Sequence, residues 1–279
     1  PTFLYGTENV LLDGTTSPNV GTMNRSVGLG YLTLNSVTSG NKNVAIGARV
    51  MEENTTGFMN VGIGWNALNK NTVGRSNVAI GGSEALDANT TGNYNVAIGD
   101  RAMTYNTTGD SNIAIGYLSL GNNDAGNYNT MIGYGTGSNI RTESGNTGND
   151  NVAVGRKSLF DNTSGASNTA VGQGSLANNT TGGENTAVGN SAGSNITTGL
   201  GNATLGRESG TDAVFNITTE NNRLVLGNNN ISNAYIKVAL TVTSDLRDKT
   251  EIEEVPHGLE FVDKLKPVSF KFKKSRKDD

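Results

Sequence analysis

The chain has 279 residues with 34% hydrophobic and 6% aromatic content, below the roughly 45–50% apolar share of an ordinary globular domain, which argues against a wide, aromatic-filled core. It has no cysteine, a single histidine (His257) and a net charge of −4. These exclude disulfides and thiolate or multi-histidine metal sites, and leave phosphate neutralisation of a nucleic acid without support. No run approaches the roughly 18 apolar residues of a membrane span, so no metal, cofactor, nucleic-acid partner or membrane insertion is expected.

Residues 1–23 read as a lead-in. From there to about 210 a short motif, Asn-x-small-aliphatic-Gly, recurs. Its asparagine falls at Asn24, Asn43, Asn60, Asn77, Asn95, Asn112, Asn129, Asn151, Asn168, Asn185 and Asn202. Successive steps are 19, 17, 17, 18, 17, 17, 22, 17, 17 and 17, the mark of a repeat architecture. Each unit continues through an aliphatic such as Ile46 or Ile98. Five positions later comes a large apolar residue such as Met51 or Met103, then turn chemistry such as Asn54-Thr55-Thr56-Gly57. A 17-residue unit is too short for a helix pair, and no 3.6-residue apolar period appears. The spacing predicts coils of a β-solenoid or β-roll, each with two short strands and two tight bends. Eleven coils at about 4.8 Å would span roughly 50 Å.

One coil is poorly supplied with apolar bulk. Burying a large aliphatic contributes roughly 1.5–3 kcal/mol, against roughly 1–2 kcal/mol to fix each residue's backbone. Interstrand hydrogen bonds and other chains must add the rest. Triplets such as Val44-Ala45-Ile46 are apolar on both faces of a strand, which suits a strand covered on both sides. One face is expected to line the coil and the other, where alanine dominates, to meet partner chains.

The motif asparagines are expected to stack as an amide ladder. The threonine columns are read as turn closures through side-chain-to-backbone bonds, in preference to an ice-binding array. Scattered acids such as Glu52, Glu53, Glu84 and Asp100 do not form the carboxylate pair of a glycosidase. The 22-residue step from Asn129 to Asn151 places additional residues around 140–146, and a loop leaving a regular shaft is where recognition can sit. Arg141 and Glu143 from that loop, with Tyr117 and Tyr134, are the candidate receptor contacts.

After Gly210 the period fades. Residues 211–243 read as a β-rich neck, and the composition then changes: residues 245–279 carry 18 of the chain's 46 charges and one glycine, Gly258. Here stand Ser244-Asp245-Leu246-Arg247-Asp248-Lys249, then Ile252, and later Leu265-Lys266-Pro267-Val268-Ser269-Phe270.

Two resemblances follow from these residues. The repeats, over about 24–210, resemble the head repeats of trimeric autotransporter adhesins and the Asn-Ala-Ile-Gly arrays of phage tail fibres. Residues 244–279 resemble the opening of the intramolecular chaperone domain of endosialidases and other phage tail spikes, whose start reads Ser-Asp-x-Arg-x-Lys. The resemblance implies an all-β, homotrimeric parallel β-roll of about eleven coils with a short α+β C-terminal segment. It also implies a structural role in a virion tail fibre that attaches to a host. The partners would be other tail or baseplate proteins and a host surface glycan or protein. In the chaperone family self-cleavage falls between the Ser and the Asp, which carries over to Ser244 and Asp245. Ser244 would be the nucleophile and Lys249 its base or essential partner, a role that needs a lowered lysine pKa. The family domain is longer than the segment after Ser244, so 244–279 is expected to be its first part, and a single self-cleavage is the most enzyme activity expected. The alternatives are a bacterial cell-surface trimeric adhesin and a self-cleaving fibre precursor.

Overall fold

A computed structural model describes strands Thr2–Leu4 and Val10–Asp13 and residues 25–138, 145–212 and 214–235. β1 (Thr2–Leu4) pairs antiparallel with β2 (Val10–Asp13). Every later strand runs parallel to its predecessor, beginning with β3 (Val27–Leu29), β4 (Val44–Ala48), β5 (Val61–Trp65), β6 (Val78–Ser83) and β7 (Val96–Ile98). The series continues with β8 (Ile113–Ile115), β9 (Thr130–Ile132), β10 (Val152–Val154) and β11 (Thr169–Val171). It ends with β12 (Thr186–Val188), β13 (Ala203–Leu205) and β14 (Leu224–Leu226). Sheet order equals chain order, and no helix lies among the described residues. The protein is therefore a parallel β-solenoid of about eleven coils, and its stack reaches β14, beyond the point where the motif fades.

Register puts like on like. Ile46, Ile63, Ile80, Ile98, Ile115 and Ile132 form one column. The expected amide ladder is present: Asn60 N–H donates to Asn43 Oδ1 at 2.9 Å, and Asn77 N–H to Asn60 Oδ1 at 3.0 Å. Each side-chain amide then reaches the carbonyl that closes the next bend, as Asn60 Nδ2 does to Gly74 at 2.8 Å. Both ends of a buried side chain are thereby satisfied. In the coil of β3 the ladder position is held by Ser26, whose Oγ accepts Asn43 N–H at 3.1 Å. The step into Asn43 is thus 17 residues, not the 19 counted from Asn24, which lies outside the described residues. A second ladder runs through the turn asparagines, with Asn71 Nδ2 on Asn54 Oδ1 at 2.8 Å and Asn106 Nδ2 on Asn89 Oδ1 at 2.9 Å. The first threonine of each turn also bonds along the stack: Thr55, Thr90 and Thr180 each donate Oγ1 to a carbonyl one coil on.

Two expectations are corrected. The unit has one strand, not two. The segment after the motif glycine places alternate residues in the left-handed region, such as Arg49 (φ 57°) and Met51 (φ 50°), or Leu118 (φ 54°) and Leu120 (φ 49°). A left-handed leucine costs roughly 1–2 kcal/mol. At Met51 and Leu120 the cost is offset because the side chain becomes fully buried and its amide still bonds along the stack, as Met51 N–H does to Ala67 O at 3.1 Å.

The second correction concerns the faces. Ala45, Ala79, Ala97, Ala114, Ala153, Ala170 and Ala187 are fully buried, so alanine lines the coil and does not face a partner. The interior is too narrow for more, because each alanine shares it with a large residue such as Met51, Leu86 or Leu159. Where the large residue is missing, another grows. The coil with Gly137 in the left-handed position has Met131 in place of alanine, and a Cβ on Gly137 would stand 2.9 Å from Met131 Sδ. The motif glycine has a separate cause: a Cβ on Gly47 (φ 136°) would meet the Gly64 carbonyl oxygen at 1.9 Å.

Candidate interaction surfaces

Because alanine points inward, the residues on either side of it point out. The outer face of the sheet is a double column running from Val27 and Leu29, through Val44 and Ile46, to Leu224 and Leu226. Ile46, Ile98, Ile115, Ile132, Val154 and Val171 each keep 36–37% exposure. The near-constant value reflects identical neighbours above and below covering their flanks. From β3 to β14 only Thr130, Thr169, Thr186 and Ala203 interrupt the aliphatics, and no charge enters the strip. Toward the end exposure rises, to 53% at Leu205 and 65% at Leu226. A strip roughly 50 Å long exceeds the scattered apolar surface that needs no explanation in a monomer.

Past the bend at the glycine column lies a turn-built face. Tyr117 and Tyr134, one coil apart, stack with ring centroids 5.5 Å apart and an interplanar angle of 21°, so the structure brings together these two candidate receptor contacts. They remain 42% and 48% exposed. The other two, Arg141 and Glu143, lie outside the described residues. The surplus residues of the long coil fall between Ser138 and Asn146, where Asn146 rejoins the stack by a bridge to Asn123. Its turn, Asn146-Thr147-Gly148, is one residue shorter than Asn123-Asp124-Ala125-Gly126. Asn146 Oδ1 accepts Gly148 N–H at 2.9 Å, and Asn146 Nδ2 and Asn123 Oδ1 are left without hydrogen-bond partners.

Three pairs of charges on this face meet across or within coils. Arg101 Nε lies 3.1 Å from Glu84 Oε2, Arg49 Nε 2.7 Å from Glu52 Oε2, and Lys70 Nζ 3.7 Å from Asp87 Oδ2. Burial pushes the Asp87 carboxyl above its usual range, and Lys70 only partly counters this. Three backbone N–H donors around Thr218 and Thr219 hold Glu220 below its usual range. Among the described residues no three His, Cys, Asp or Glu side chains gather as a metal site, and no helix is long and apolar enough to cross a membrane.

Sequence reasoning missed the orientation of the aliphatic strip. The signal was available in the swap of alanine for Met131 in the coil bearing Gly137, since only an inward residue would compensate for a missing core leucine. Ser244, Asp245, Lys249 and the expected α+β segment lie outside the described residues. Comparison with known proteins bears on that part of the chain: the family described as chaperone of endosialidase matches residues 244–279. No curated protein and no solved structure matches the chain. The C-terminal 36 of 279 residues are therefore similar to an endosialidase chaperone, and they follow a β-solenoid with an uncovered aliphatic face.

Proposed function

We propose that the chain is a structural segment of a homotrimeric fibre of the phage tail-fibre kind, a virion appendage that reaches toward and attaches to a host. Its β-solenoid is the shaft. The division is a lead-in to 23, a shaft over 24–210, a neck over 211–243 and an assembly-chaperone segment over 244–279, with the parallel stack itself running from β2 to β14. The observation that carries this reading is the uncharged aliphatic strip along the outer sheet face, in a chain that ends in similarity to an assembly chaperone. Three copies packed strip to strip would remove that face from water at roughly 25 cal/mol per Å² of apolar area. They would leave the turn face, with Tyr117 and Tyr134, turned outward toward a host surface glycan or protein, with Arg141 and Glu143 kept as candidate contacts from the sequence alone. Light scattering on the purified chain is the test: a mass of three chains is expected, and a monomer at micromolar concentration overturns the reading.

A second reading concerns self-cleavage. In this reading the bond cut is Ser244–Asp245, with Ser244 as nucleophile and Lys249 as base or essential partner; a family match that begins at Ser244 supports it. Mass spectrometry after prolonged incubation tests it. Loss of residues 245–279 from the wild type, and retention in Ser244→Ala, is the expected pattern; an intact wild-type chain removes the reading.

A further inference from the structure

On the turn face, Glu84, Arg101, Thr104, Tyr105, Leu118 and Gly121 enclose an open groove of about 350 Å³, within the range of small-molecule sites. Gly121 opens it. The position is held by Asp87 and Thr104 in the two preceding coils and by a bare backbone here. Glu84, Arg101 and Leu118 follow one another at one-coil steps, so the groove crosses three coils, roughly 10 Å, the length of about two sugar rings.

The lining has two characters. The Tyr105 ring, 61% exposed, and the Leu118 side chain supply a flat apolar wall. Opposite charges are locked together at 3.1 Å between Arg101 and Glu84, whose side chains remain 51% and 25% exposed. The pair therefore presents an acceptor and donors at fixed positions with no net charge. An aromatic face receives the C–H face of a pyranose, while a carboxylate and a guanidinium side by side take adjacent hydroxyls as acceptor and donor. Because Glu84 already neutralises Arg101, an anionic ligand gains little.

We infer that this groove binds a neutral hexopyranose unit of a surface polysaccharide. The inference rests on the host-attachment reading for the source of the glycan, though not for the binding itself. The test titrates the full chain with methyl β-glycosides of glucose, galactose and N-acetylglucosamine, and with N-acetylneuraminic acid, followed by saturation-transfer NMR. At least one neutral glycoside gives a saturable response that exceeds the acidic sugar's. Tyr105→Ala weakens it about tenfold, the upper end for one ring contact, and Gly121→Leu, which fills the groove, abolishes it. Tyr128→Ala, an exposed tyrosine outside the groove, leaves it unchanged. No saturable response from any neutral glycoside, or one indifferent to both groove variants, overturns the inference. Light scattering on the same samples separates the readings: three chains without a sugar response sinks the groove alone, and a monomer that binds sugar sinks the fibre alone.

Discussion

Asn129 Oδ1 accepts the backbone N–H of Asn151 at 3.1 Å although 22 residues, not 17, separate them. The amide ladder therefore closes across the long coil as it does elsewhere, and the register of the stack is the same on both sides of it. Asn129 Nδ2 meanwhile donates to the Gly148 carbonyl at 2.9 Å, so one fully buried side chain joins the strand of one coil to the bend of the next.

Asn129→Ala removes both bonds and leaves a buried N–H and a buried carbonyl unpaired. Each orphan costs about 1–3 kcal/mol, so a loss of about 2–6 kcal/mol in urea unfolding is expected. Asn127→Ala, on the partly exposed neighbouring column, should cost less, because water reaches the freed groups. Equal losses at the two sites would show that the ladder adds nothing beyond ordinary turn bonds.

The coil that carries Met131 and Gly137 predicts a rescue. Met131→Ala alone empties a fully buried site and should cost about 2–5 kcal/mol. Gly137→Leu alone drives a side chain into Met131 Sδ, which a Cβ would already approach to 2.9 Å, and overpacking costs about 1–3 kcal/mol. The double variant recreates the pair held by Ala114 with Leu120 and by Ala153 with Leu159. Gly137 already has φ 60°, close to the 49° of Leu120, so no new strain arises. A double-mutant cycle should return most of the stability lost by either single change; simple additivity would mean the two positions do not share one space.

The outward strip predicts a separation of assembly from folding. Ile98→Glu with Ile115→Glu puts two charges on the outer face while Ala97 and Ala114 stay inside. In the proposed assembly the mass should fall from three chains to one, with the β-sheet circular dichroism signal retained. A pair at the inward positions, Ala97→Glu with Ala114→Glu, should abolish folding, since an unpaired buried charge costs several kcal/mol. Retention of the trimer in the outward variant would place the contact elsewhere.

The repeat and its register were legible because stacking demands identity at each position: asparagine bonds to asparagine and isoleucine lies on isoleucine. What stayed hidden has physical reasons. Ser26 takes the ladder role with an oxygen of its own, so matching letters put the first step at Asn24. A triplet such as Val44-Ala45-Ile46 is apolar on both sides, and alternation alone does not say which side is inside. Leucine and methionine seldom adopt positive φ, so the row containing Met51 and Leu68 reads as a strand until the backbone is seen. The turn-face groove depends on Gly121 lying beside Thr104 across coils, a neighbourhood set by register.

Asp87 gives a pH dependence with a definite sign. Burial is the largest influence on its carboxyl and raises its affinity for a proton, Lys70 opposes this, and Glu84 and Glu53 reinforce it. The folded chain therefore holds the proton to a higher pH than the unfolded chain does. Between the unfolded value, about 3.9, and the higher folded value, the unfolded state binds fewer protons, so stability falls as pH rises through that window. Asp87→Asn abolishes the loss. It should raise the stability at pH 7, and with it the thermal midpoint, by a small amount, under about 1 kcal/mol, because the site is only partly buried and Lys70 lies at its edge. The advantage should shrink to nothing only as the pH drops well below about 4, where the wild-type carboxyl is protonated in both states. Lys70→Ala should do the opposite at pH 7, leaving Asp87 without its counter-charge and lowering the midpoint. If Asp87→Asn instead destabilises the chain at neutral pH, the ion pair across 3.7 Å outweighs the burial of the carboxylate.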